Sequence, residues 1–471
     1  MAIRILVCDD SVVIRKLLTA TLSEVPGLEV VATAGLGRIA LAKIPQVNPD
    51  IVILDVEMPE MDGIETLKQI RKIAPRLPVI MFSTKTDRGA AATIEALTSG
   101  ASDYVAKPSN VGNVLIAMQR VREEMVPKIQ ALTAGAALRP GSARTTLPPA
   151  PRTTLAPPLA GVRTQAMPTM AAAAAAVGGT TTTTTTSSVP VMSARAASRP
   201  SVGAMAMPTT TQLVPTSPLS QPMPAPTFVP PAPLPAASSR FSIPAARIRS
   251  NTNSPLVVDG PIRLSPPLGR RPPVEIVAIG ASTGGPNALA MLLTQLPAEF
   301  PVPIVIVQHM LATFTRHFAE RLATQCRIKI VEASAGDVLV PGQAYIARGD
   351  HHLLVERRTG RATLAMNQGE VENFCRPAVD VLFRSVAHIY GAGALAVVLT
   401  GMGHDGLLGC GAIREAGGDV IVQDEASSVV WGMPGFVARA GLASQVMPLD
   451  LLGGEVRRRV ALGPRVVEGR P

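Results

Sequence analysis

The 471-residue sequence predicts an α/β protein with two doubly wound parallel-sheet domains joined by a long disordered linker. Short β-branched runs alternate with amphipathic helical runs in residues 1–125, and the same alternation returns in residues 272–465. Residues 126–271 hold the end of a helix and then a segment rich in Ala, Pro and Thr. Repeated β-α units of this size form open parallel sheets with helices on both faces.

The first domain is predicted to contain five β-α units. We expect strands at residues 3–8, 28–34, 51–54, 79–82 and 104–106, and helices at 12–24, 37–44, 64–73, 89–99 and from 112 onward. In such sheets, functional side chains collect at the carboxyl ends of the strands.

The ends of these strands carry acids, a hydroxyl and a lysine. Asp9 and Asp10 follow the first strand, Asp55 the third, Ser83 the fourth and Lys107 the fifth. Three carboxylates at one edge need a counter-ion, which a hard divalent cation supplies, and one carboxylate then stays free to attack a phosphoryl group. Lys107 and Ser83 would bind the phosphate oxygens. The alternative is that the acids are ordinary helix caps, but the ordered set favours phosphoryl chemistry.

Two motifs of this domain resemble response-regulator receiver domains, which are flavodoxin-like. The stretch DVEMPEMDG at 55–63 is similar to the phospho-acceptor segment of that family, and AKP at 106–108 to its lysine motif. The resemblance implies that a histidine kinase phosphorylates Asp55, and that Asp9 and Asp10 hold Mg²⁺ together with Asp55.

The same resemblance implies a conformational switch. It makes Ser83 the switch hydroxyl and Tyr104 the switch aromatic residue, next to the phosphate-binding Lys107. Without the resemblance, Tyr104 is interpreted as a core residue at the sheet edge.

The middle of the chain accounts for the net charge. Residues 131–270 contain 11 Arg, no Lys and one acid, Asp259, so this segment carries the whole formal charge of +10. A charge located there argues against a folded nucleic-acid-binding face. A segment with so few aromatic residues cannot offset its chain entropy by burial, and we expect a disordered spacer with a mean span of roughly 65 Å.

The sequence also gives an expectation for the cellular location of the protein. The N-terminus shows no signal peptide, and no apolar run reaches membrane-spanning length, so no membrane insertion is expected. The four cysteines, Cys8, Cys326, Cys375 and Cys410, have neither C-x-x-C nor metal-finger spacing. They indicate reduced, mostly buried thiols in a cytoplasmic protein, which we expect to be a monomer.

The second domain begins with a strand, a sharp glycine turn and a helix. The apolar run 274–279 ends at Gly280, and a helical pattern follows at 288–296, so Ser282 is predicted at a strand tip beneath a helix N-terminus. Residues 280–284 fit the G-x-S-x-G pattern of a serine nucleophile near free backbone N–H groups. A glycine-rich phosphate or dinucleotide cradle uses the same geometry and stays open as an alternative.

Further β-α units follow. We expect a strand at 303–308, a helix at 312–324, short strands within 329–366 and a helix beyond Pro377. A strand at 394–399, a helix, a strand at 419–422 and two helical segments complete the domain.

A serine nucleophile needs a base and an orienting acid. His309 directly follows an apolar strand on the predicted edge of Ser282, which favours it as the base over His404. Asp405 follows the strand and loop LAVVLTGMG and is the expected acid, although it can also cap the next helix. The chain order Ser, His, Asp differs from that of α/β-hydrolases.

These motifs give residues 274–465 a second resemblance, to chemotaxis protein-glutamate methylesterases, with a Rossmann-like serine esterase fold. It rests on IGASTGG at 279–285, QHM at 308–310 and TGMGHDG at 400–406. The resemblance implies a Ser282, His309 and Asp405 triad without a cofactor.

In addition, the family pattern makes the Met402 backbone N–H an oxyanion donor and sets Thr283 beside the nucleophile. The implied substrates are methylated glutamates, and glutamines, on the cytoplasmic helices of chemoreceptors. In typical members the receiver blocks the active site until it is phosphorylated. The long linker departs from that pattern, because it weakens the case for a fixed blocking geometry, yet phospho-activation is still expected. The competing hypothesis is a signalling adaptor without enzymatic activity.

Overall fold

The computed structural model describes residues 2–108, 114–137, 248–249, 257–258, 262, 264–265 and 272–461. The chain divides into one compact unit, Met1–Pro148 with Ala237–Pro471, and a second, Pro149–Ala236. The second unit lies outside the described residues, and so does most of the predicted linker, whose disorder remains a prediction.

The first domain is built on a five-stranded sheet. Its strands are β1 (Ile3–Cys8), β2 (Leu28–Ala34), β3 (Ile51–Asp55), β4 (Val79–Ser83) and β5 (Asp103–Ala106). All neighbours pair in parallel in the order β2-β1-β3-β4-β5. This is the flavodoxin-like order, so the predicted fold is confirmed, and each strand ends within one residue of its predicted bounds.

Five helices cover this sheet. They are α1 (Val12–Ser23), α2 (Gly37–Val47), α3 (Gly63–Ile73), α4 (Asp87–Thr98) and α5 (Val114–Ala137). Side-chain oxygens of Ser11, Asp62 and Thr86 accept hydrogen bonds from backbone N–H groups in the first turns of α1, α3 and α4. Helix α5 continues well beyond the predicted domain boundary at residue 125.

Part of the predicted linker is described. Strands β6 (Ile248–Arg249) and β7 (Val257–Val258) pair in antiparallel fashion. Ser265 binds the second domain, because its N–H donates to Ala443 O over 2.8 Å and its hydroxyl accepts from Arg414 Nη2 over 2.8 Å. The attached part of the chain therefore begins before residue 272.

The second domain is built on a seven-stranded sheet. Its strands are β8 (Ile276–Ala281), β9 (Ile304–Gln308), β10 (Lys329–Glu332), β11 (Gln343–Ile346), β14 (Ala394–Val398), β15 (Asp419–Gln423) and β16 (Gln445–Met447). All pair in parallel in the order β10-β11-β9-β8-β14-β15-β16. The strand order reverses between β8 and β14, as in a Rossmann-like sheet with β11 inserted. Strand β16 is the one element of this sheet that the pattern did not predict.

Six helices and a hairpin complete this domain. Strands β12 (His352–Arg358) and β13 (Arg361–Asn367) form the antiparallel hairpin. The helices are α6 (Gly285–Leu293), α7 (Ala312–Gln325), α8 (Val379–Tyr390), α9 (Leu407–Glu415), α10 (Met433–Arg439) and α11 (Leu449–Ala461). Among the described residues, no helix is long and apolar enough to cross a membrane.

The two domains share a buried apolar cluster. Helix α4 of the first domain packs against α6 and α7 of the second. The cluster runs from Leu97 and Tyr104 to Leu289 and Phe314, and the rings of Tyr104 and Phe314 lie 4.6 Å apart.

Candidate active site

Three neighbouring strands of the second sheet end at one place. Ser282 follows β8, His309 follows β9, and the loop after β14 leads to Asp405. Ser282 N–H donates to Thr400 O and His309 N–H donates to Ala281 O, each over 3.1 Å. The backbone of Ser282 is thereby fixed to both neighbouring strands at the point where the strand order reverses, which is where open α/β sheets bind ligands.

Two glycines allow the close approach of these loops. A Cβ atom at Gly401 would lie 2.9 Å from Ser282 Cβ and 2.4 Å from Met433 Sδ. Gly284 precedes α6 with φ of +77°, and a Cβ atom there would meet the Val429 side chain at 2.6 Å. Larger residues at either position would push the loop away from Ser282.

His309 and Asp405 form a buried pair. The Nε2–H of His309 donates to Asp405 Oδ2 over 2.8 Å, and Asp405 is only 2% exposed. The carboxylate also accepts hydrogen bonds from Val379 N (2.6 Å), Asp380 N (3.0 Å), Asn373 Nδ2 (2.8 Å) and Gly406 N (3.0 Å). Burial raises the pKa of Asp405, but the hydrogen bonds from His309 and these N–H groups lower it below its usual value. Asp405 thus stays ionised and holds the imidazole.

Two alternatives from the sequence concern this pair: Asp405 as a helix cap and His404 as the base. Asp405 does cap a helix, but the helix is α8 rather than the α9 that follows it in sequence. His404, the second candidate base, lies edge-on to the Phe436 ring at 5.8 Å, and its imidazole makes no hydrogen bond to a described residue.

The other imidazole nitrogen faces a cysteine. His309 Nδ1 lies 3.4 Å from Cys375 Sγ. Burial lowers the pKa of His309, but its electrostatic interaction with Cys375 and its hydrogen bond to Asp405 outweigh burial and raise the pKa to about 10. The Ser282 hydroxyl makes no hydrogen bond to any described residue, so the predicted Ser282–His309 contact is not formed in this conformation.

The loop that carries Cys375 was not predicted to join the site. Asn373 and Phe374 have positive φ, 53° and 61°, a region that side-chain-bearing residues rarely adopt. The Asn373 amide bonds both Asp405 and Asp380, which fixes the loop against the acid. Phe374 is 102% exposed at the rim of the site. Cys375 lies in a loop, outside any helical or strand pattern of the sequence, so no hydrophobic periodicity predicted its contact with His309.

The two other predicted esterase residues have different surroundings. The Met402 N–H makes no hydrogen bond within the described part of the chain and is available to an oxyanion. Thr283 is buried, and its Oγ1 donates to Asp103 Oδ2 of the first domain over 2.5 Å.

The first domain therefore reaches the site directly, through a contact made by Asp103 and Tyr104 of β5. Leu311 N–H, two residues beyond His309, donates to the Tyr104 hydroxyl over 3.1 Å. Asp103 is held by Lys128 Nζ of α5 at 3.1 Å. Burial is the main cause that raises the pKa of Tyr104, so its hydroxyl stays protonated. Sequence reasoning missed Asp103 and Lys128.

The acidic edge of the first domain gathers as predicted. Ligand oxygens of Asp9, Asp10 and Asp55 lie within 4.8 Å of one another. Lys107 Nζ lies 2.8 Å from Asp55 Oδ1 and 2.9 Å from Asp9 Oδ2. Asp55 Oδ2 is buried without a hydrogen-bond partner. Burial raises the pKa of Asp55 to about 6 despite the opposing effect of Lys107. An orphaned buried carboxylate oxygen among three acids fits a hard divalent cation.

Ser83 does not contact Asp55. Its hydroxyl is buried and donates to Gly89 O of α4 over 3.1 Å and to Thr84 O over 3.3 Å. The predicted switch hydroxyl is therefore turned towards α4 in this conformation.

Known proteins match both domains. The family model for the response regulator receiver domain matches residues 5–119, and the CheB methylesterase model matches residues 277–456. A protein-glutamate methylesterase/protein-glutamine glutaminase of Trichodesmium erythraeum is 41% identical over 97% of this chain and 99% of its own length. A relative of the same name from Nocardioides is 41% identical over 98% of this chain and 96% of its own length. The catalytic domain of Thermotoga maritima CheB methylesterase is 40% identical, with 39% of this chain and 98% of that chain covered and a TM-score of 0.39.

Proposed function

Because this chain belongs to the CheB methylesterase family and is a protein-glutamate methylesterase and protein-glutamine glutaminase, we propose that Ser282, His309 and Asp405 carry its reaction and that phosphorylation of Asp55 controls it. The proposed substrates are methylated glutamates and glutamines on the cytoplasmic helices of chemoreceptors. This activity serves adaptation in chemotaxis. Because its proposed substrates are the cytoplasmic helices of chemoreceptors, we place the protein in the cytoplasm.

The proposed reaction begins at the Ser282 hydroxyl. The reactive form is the one in which His309 is neutral, so its share grows as the pH rises towards the raised pKa of this imidazole. In that form Ser282 Oγ bonds to the side-chain acyl carbon while its proton passes to His309 Nδ1, since Nε2 is engaged by Asp405. The oxyanion accepts a hydrogen bond from the free Met402 N–H. The C–O bond to methanol, or the C–N bond to ammonia, then breaks as the leaving group takes the proton. Water attacks the acyl-serine with His309 again as base, and glutamate is released.

This reaction requires a local rearrangement. His309 Nδ1 faces Cys375 at 3.4 Å, and the Ser282 hydroxyl has no partner among the described residues. The proposed reaction needs Ser282 Oγ within hydrogen-bonding distance of Nδ1 while the bond between His309 and Asp405 is kept. Catalytic hydrogen bonds commonly tighten only when substrate is present.

The proposed control acts through β5. Asp103 and Tyr104 bond to Thr283 and to Leu311, neighbours of the nucleophile and of the base. A first domain bound there obstructs the approach of a receptor helix to Ser282. Lys107, which follows β5, is bound to Asp55, so a phosphoryl group on Asp55 would compete for Lys107 and bias the β5 contact. A histidine kinase is the proposed phosphodonor.

Asp9, Asp10 and Asp55 would hold Mg²⁺ at the acidic edge. When bound, the cation supplies neutralising charge for the phosphoryl group. One carboxylate oxygen of Asp55 would hold the cation and the other would accept the phosphoryl group, while Lys107 binds a phosphoryl oxygen from the other side. The proposed esterase chemistry uses the side chains of Ser282, His309 and Asp405, the backbone N–H of Met402, and water.

The observation that carries the esterase proposal is the buried, fully hydrogen-bonded Asp405 that holds His309 beside the tip of β8. Methanol release from methylated receptor fragments tests it. Ser282→Ala should lower turnover by on the order of 10⁴-fold, because triad members act as a unit. The matched control is Ser334→Ala, an exposed serine of the same domain, which should keep full activity. Retained activity in Ser282→Ala would reject the triad.

The adaptor hypothesis makes a different prediction. A serine-directed phosphonate should label wild-type protein at Ser282 if the residue is an activated nucleophile. A binding module would not be labelled. The glycine-rich cradle would instead bind nucleotide in a titration.

A further inference from the structure

A cluster of metal-ligating side chains lies within the esterase site. One nitrogen of His309, the sulfur of Cys375 and one oxygen of Asp405 all lie within 4.8 Å of one another. We propose that His309 Nδ1 and Cys375 Sγ bind a borderline-soft divalent cation, zinc in the first place, and that this cation reversibly inhibits the esterase. The inhibition rests on the proposed role of His309 as the base, whereas the binding site does not.

The spacing of the two ligand atoms fits a shared cation. Zn–S bonds of about 2.3 Å and Zn–N bonds of about 2.0–2.1 Å at a tetrahedral angle put sulfur and nitrogen about 3.5 Å apart. The observed separation between His309 Nδ1 and Cys375 Sγ is 3.4 Å. The separation of the two atoms is therefore compatible with a cation bound to both.

The histidine is held in the orientation that metal ligands commonly have. A metal-bound imidazole usually donates its other N–H to a carboxylate, which fixes the tautomer and the ring. His309 Nε2–H donates to Asp405 Oδ2 over 2.8 Å, so Nδ1 is the nitrogen that points away from Asp405, and a cation binds it in place of a proton. Asp405 already accepts hydrogen bonds on both oxygens, and we assign it the supporting role behind the histidine rather than that of a third ligand.

The cysteine is also fixed in place. Backbone hydrogen bonds join Cys375 and Glu372 in both directions, over 2.9 and 3.2 Å. Glu372 is held by two hydrogen bonds of 2.7 Å from Arg384, and Asn373 ties the loop to Asp405. Because both ligands are ordered before the cation arrives, little ordering entropy opposes binding.

The site is open enough for an ion to enter. Cys375 and Ser282 are partly exposed, and the His309 side chain is 12% exposed, so water can fill the remaining coordination positions. Thiolate and imidazole favour zinc-like ions and disfavour Mg²⁺. The Mg²⁺ proposed for the acidic edge of the first domain therefore does not compete for this pair.

A cation on Nδ1 removes the lone pair that must accept the Ser282 proton. Inhibition is thus expected while the cation is bound, and a chelator is expected to reverse it. The glutamine and methyl-ester reactions should be inhibited together, because both need the same lone pair.

The test uses full-length protein titrated with ZnCl₂, with methanol release as one readout. Each variant's rate is normalised to its own metal-free rate. Cys375→Ser should raise the zinc concentration for half-inhibition by at least about 10- to 100-fold, since even supporting residues have effects of that size on metal affinity. The matched control is Cys326→Ser, a partly exposed cysteine of the same domain, which should behave as wild type. Equal sensitivity of Cys375→Ser and wild type would overturn the site.

A second readout does not require activity. Cd²⁺ bound to a thiolate gives an ultraviolet charge-transfer band, which should appear in wild type and in Ser282→Ala but not in Cys375→Ser. A band without inhibition would retain the metal site and reject His309 as the base. Absence of the band in wild type would reject the metal site and leave the esterase proposal intact.

Discussion

Replacing Tyr104 by phenylalanine removes one oxygen from the contact between the first domain and the esterase site. That oxygen accepts the hydrogen bond from Leu311 N–H at 3.1 Å, while the ring packs against Phe314 at a centroid distance of 4.6 Å. Phenylalanine keeps the ring contact and loses the hydrogen bond. If the contact holds the esterase in an inhibited form, Tyr104→Phe should raise the basal rate without a phosphodonor.

The size of the effect follows from the lost hydrogen bond. Leu311 is 40% exposed, so water can reach its N–H when the hydroxyl is gone, and the net loss is about 0.5–1.5 kcal/mol. At about 1.36 kcal/mol for each tenfold change, the balance between inhibited and free forms shifts by about 2- to 13-fold. The basal rate should rise by that factor, up to the rate of the phosphorylated protein.

The assay is methanol release from methylated receptor fragments by full-length protein, with and without a small phosphodonor. Tyr390→Phe is the matched control, because Tyr390 ends α8 and its hydroxyl bonds to no described residue. An unchanged basal rate in Tyr104→Phe, together with normal activation by the phosphodonor, would show that this contact does not inhibit. The comparison of full-length protein with residues 272–471 then tests inhibition by the whole first domain.

Four further outcomes are expected. The affinity of the first domain for Mg²⁺, measured by calorimetry, should fall as the pH drops through about 6, because Asp55, with its raised pKa, becomes protonated below that pH. In the methanol-release assay, Asp55→Asn should abolish activation by a phosphodonor. Cys375→Ser removes the interaction with the Cys375 sulfur that raises the pKa of His309, so His309 should become neutral at a lower pH. The acidic limb of the plot of kcat/KM against pH should then move to lower pH, and an unmoved limb would show that Cys375 does not set the pKa of His309. Phe374→Ala should raise KM for receptor fragments several-fold and leave small methyl esters unaffected, because the fully exposed ring next to Cys375 is expected to contact a large substrate. Equal effects on both substrates would argue for a change in the site itself.

The sequence predicted the parts of the site that depend on strand ends. Ser282, His309 and Asp405 each follow a parallel strand, and parallel strands place such positions on one edge, so the pairing of His309 with Asp405 could be expected. Asp55 and Lys107 also lie at the ends of parallel strands, so their meeting at one edge of the first sheet could be predicted in the same way. Strand bounds were also predictable, because β-branched runs end abruptly at Gly, Asp or Ser.

Contacts made by loops and between domains were not predictable. Cys375 reaches His309 from a loop whose positive-φ residues are set by the bonds of Asn373 to two acids, and no periodicity encodes that path. Asp103 and Thr283 are 180 positions apart and meet only when the domains pack together. Strand β16 was missed because its three residues are too few to show a period.

Ser282 and His309 directly follow β8 and β9, two inner strands of a sheet whose residues are buried on both faces. Strand β8 pairs with both β9 and β14, His309 N–H donates to Ala281 O, and Ser282 N–H donates to Thr400 O. Bending the site out of shape would therefore mean breaking hydrogen bonds in the buried interior of the sheet. A regulator gains more by covering such a site than by deforming it. If the proposed control operates, the ratio of active to inhibited enzyme is set by an association equilibrium between two preformed surfaces, which surface substitutions can change without altering the chemistry of the site.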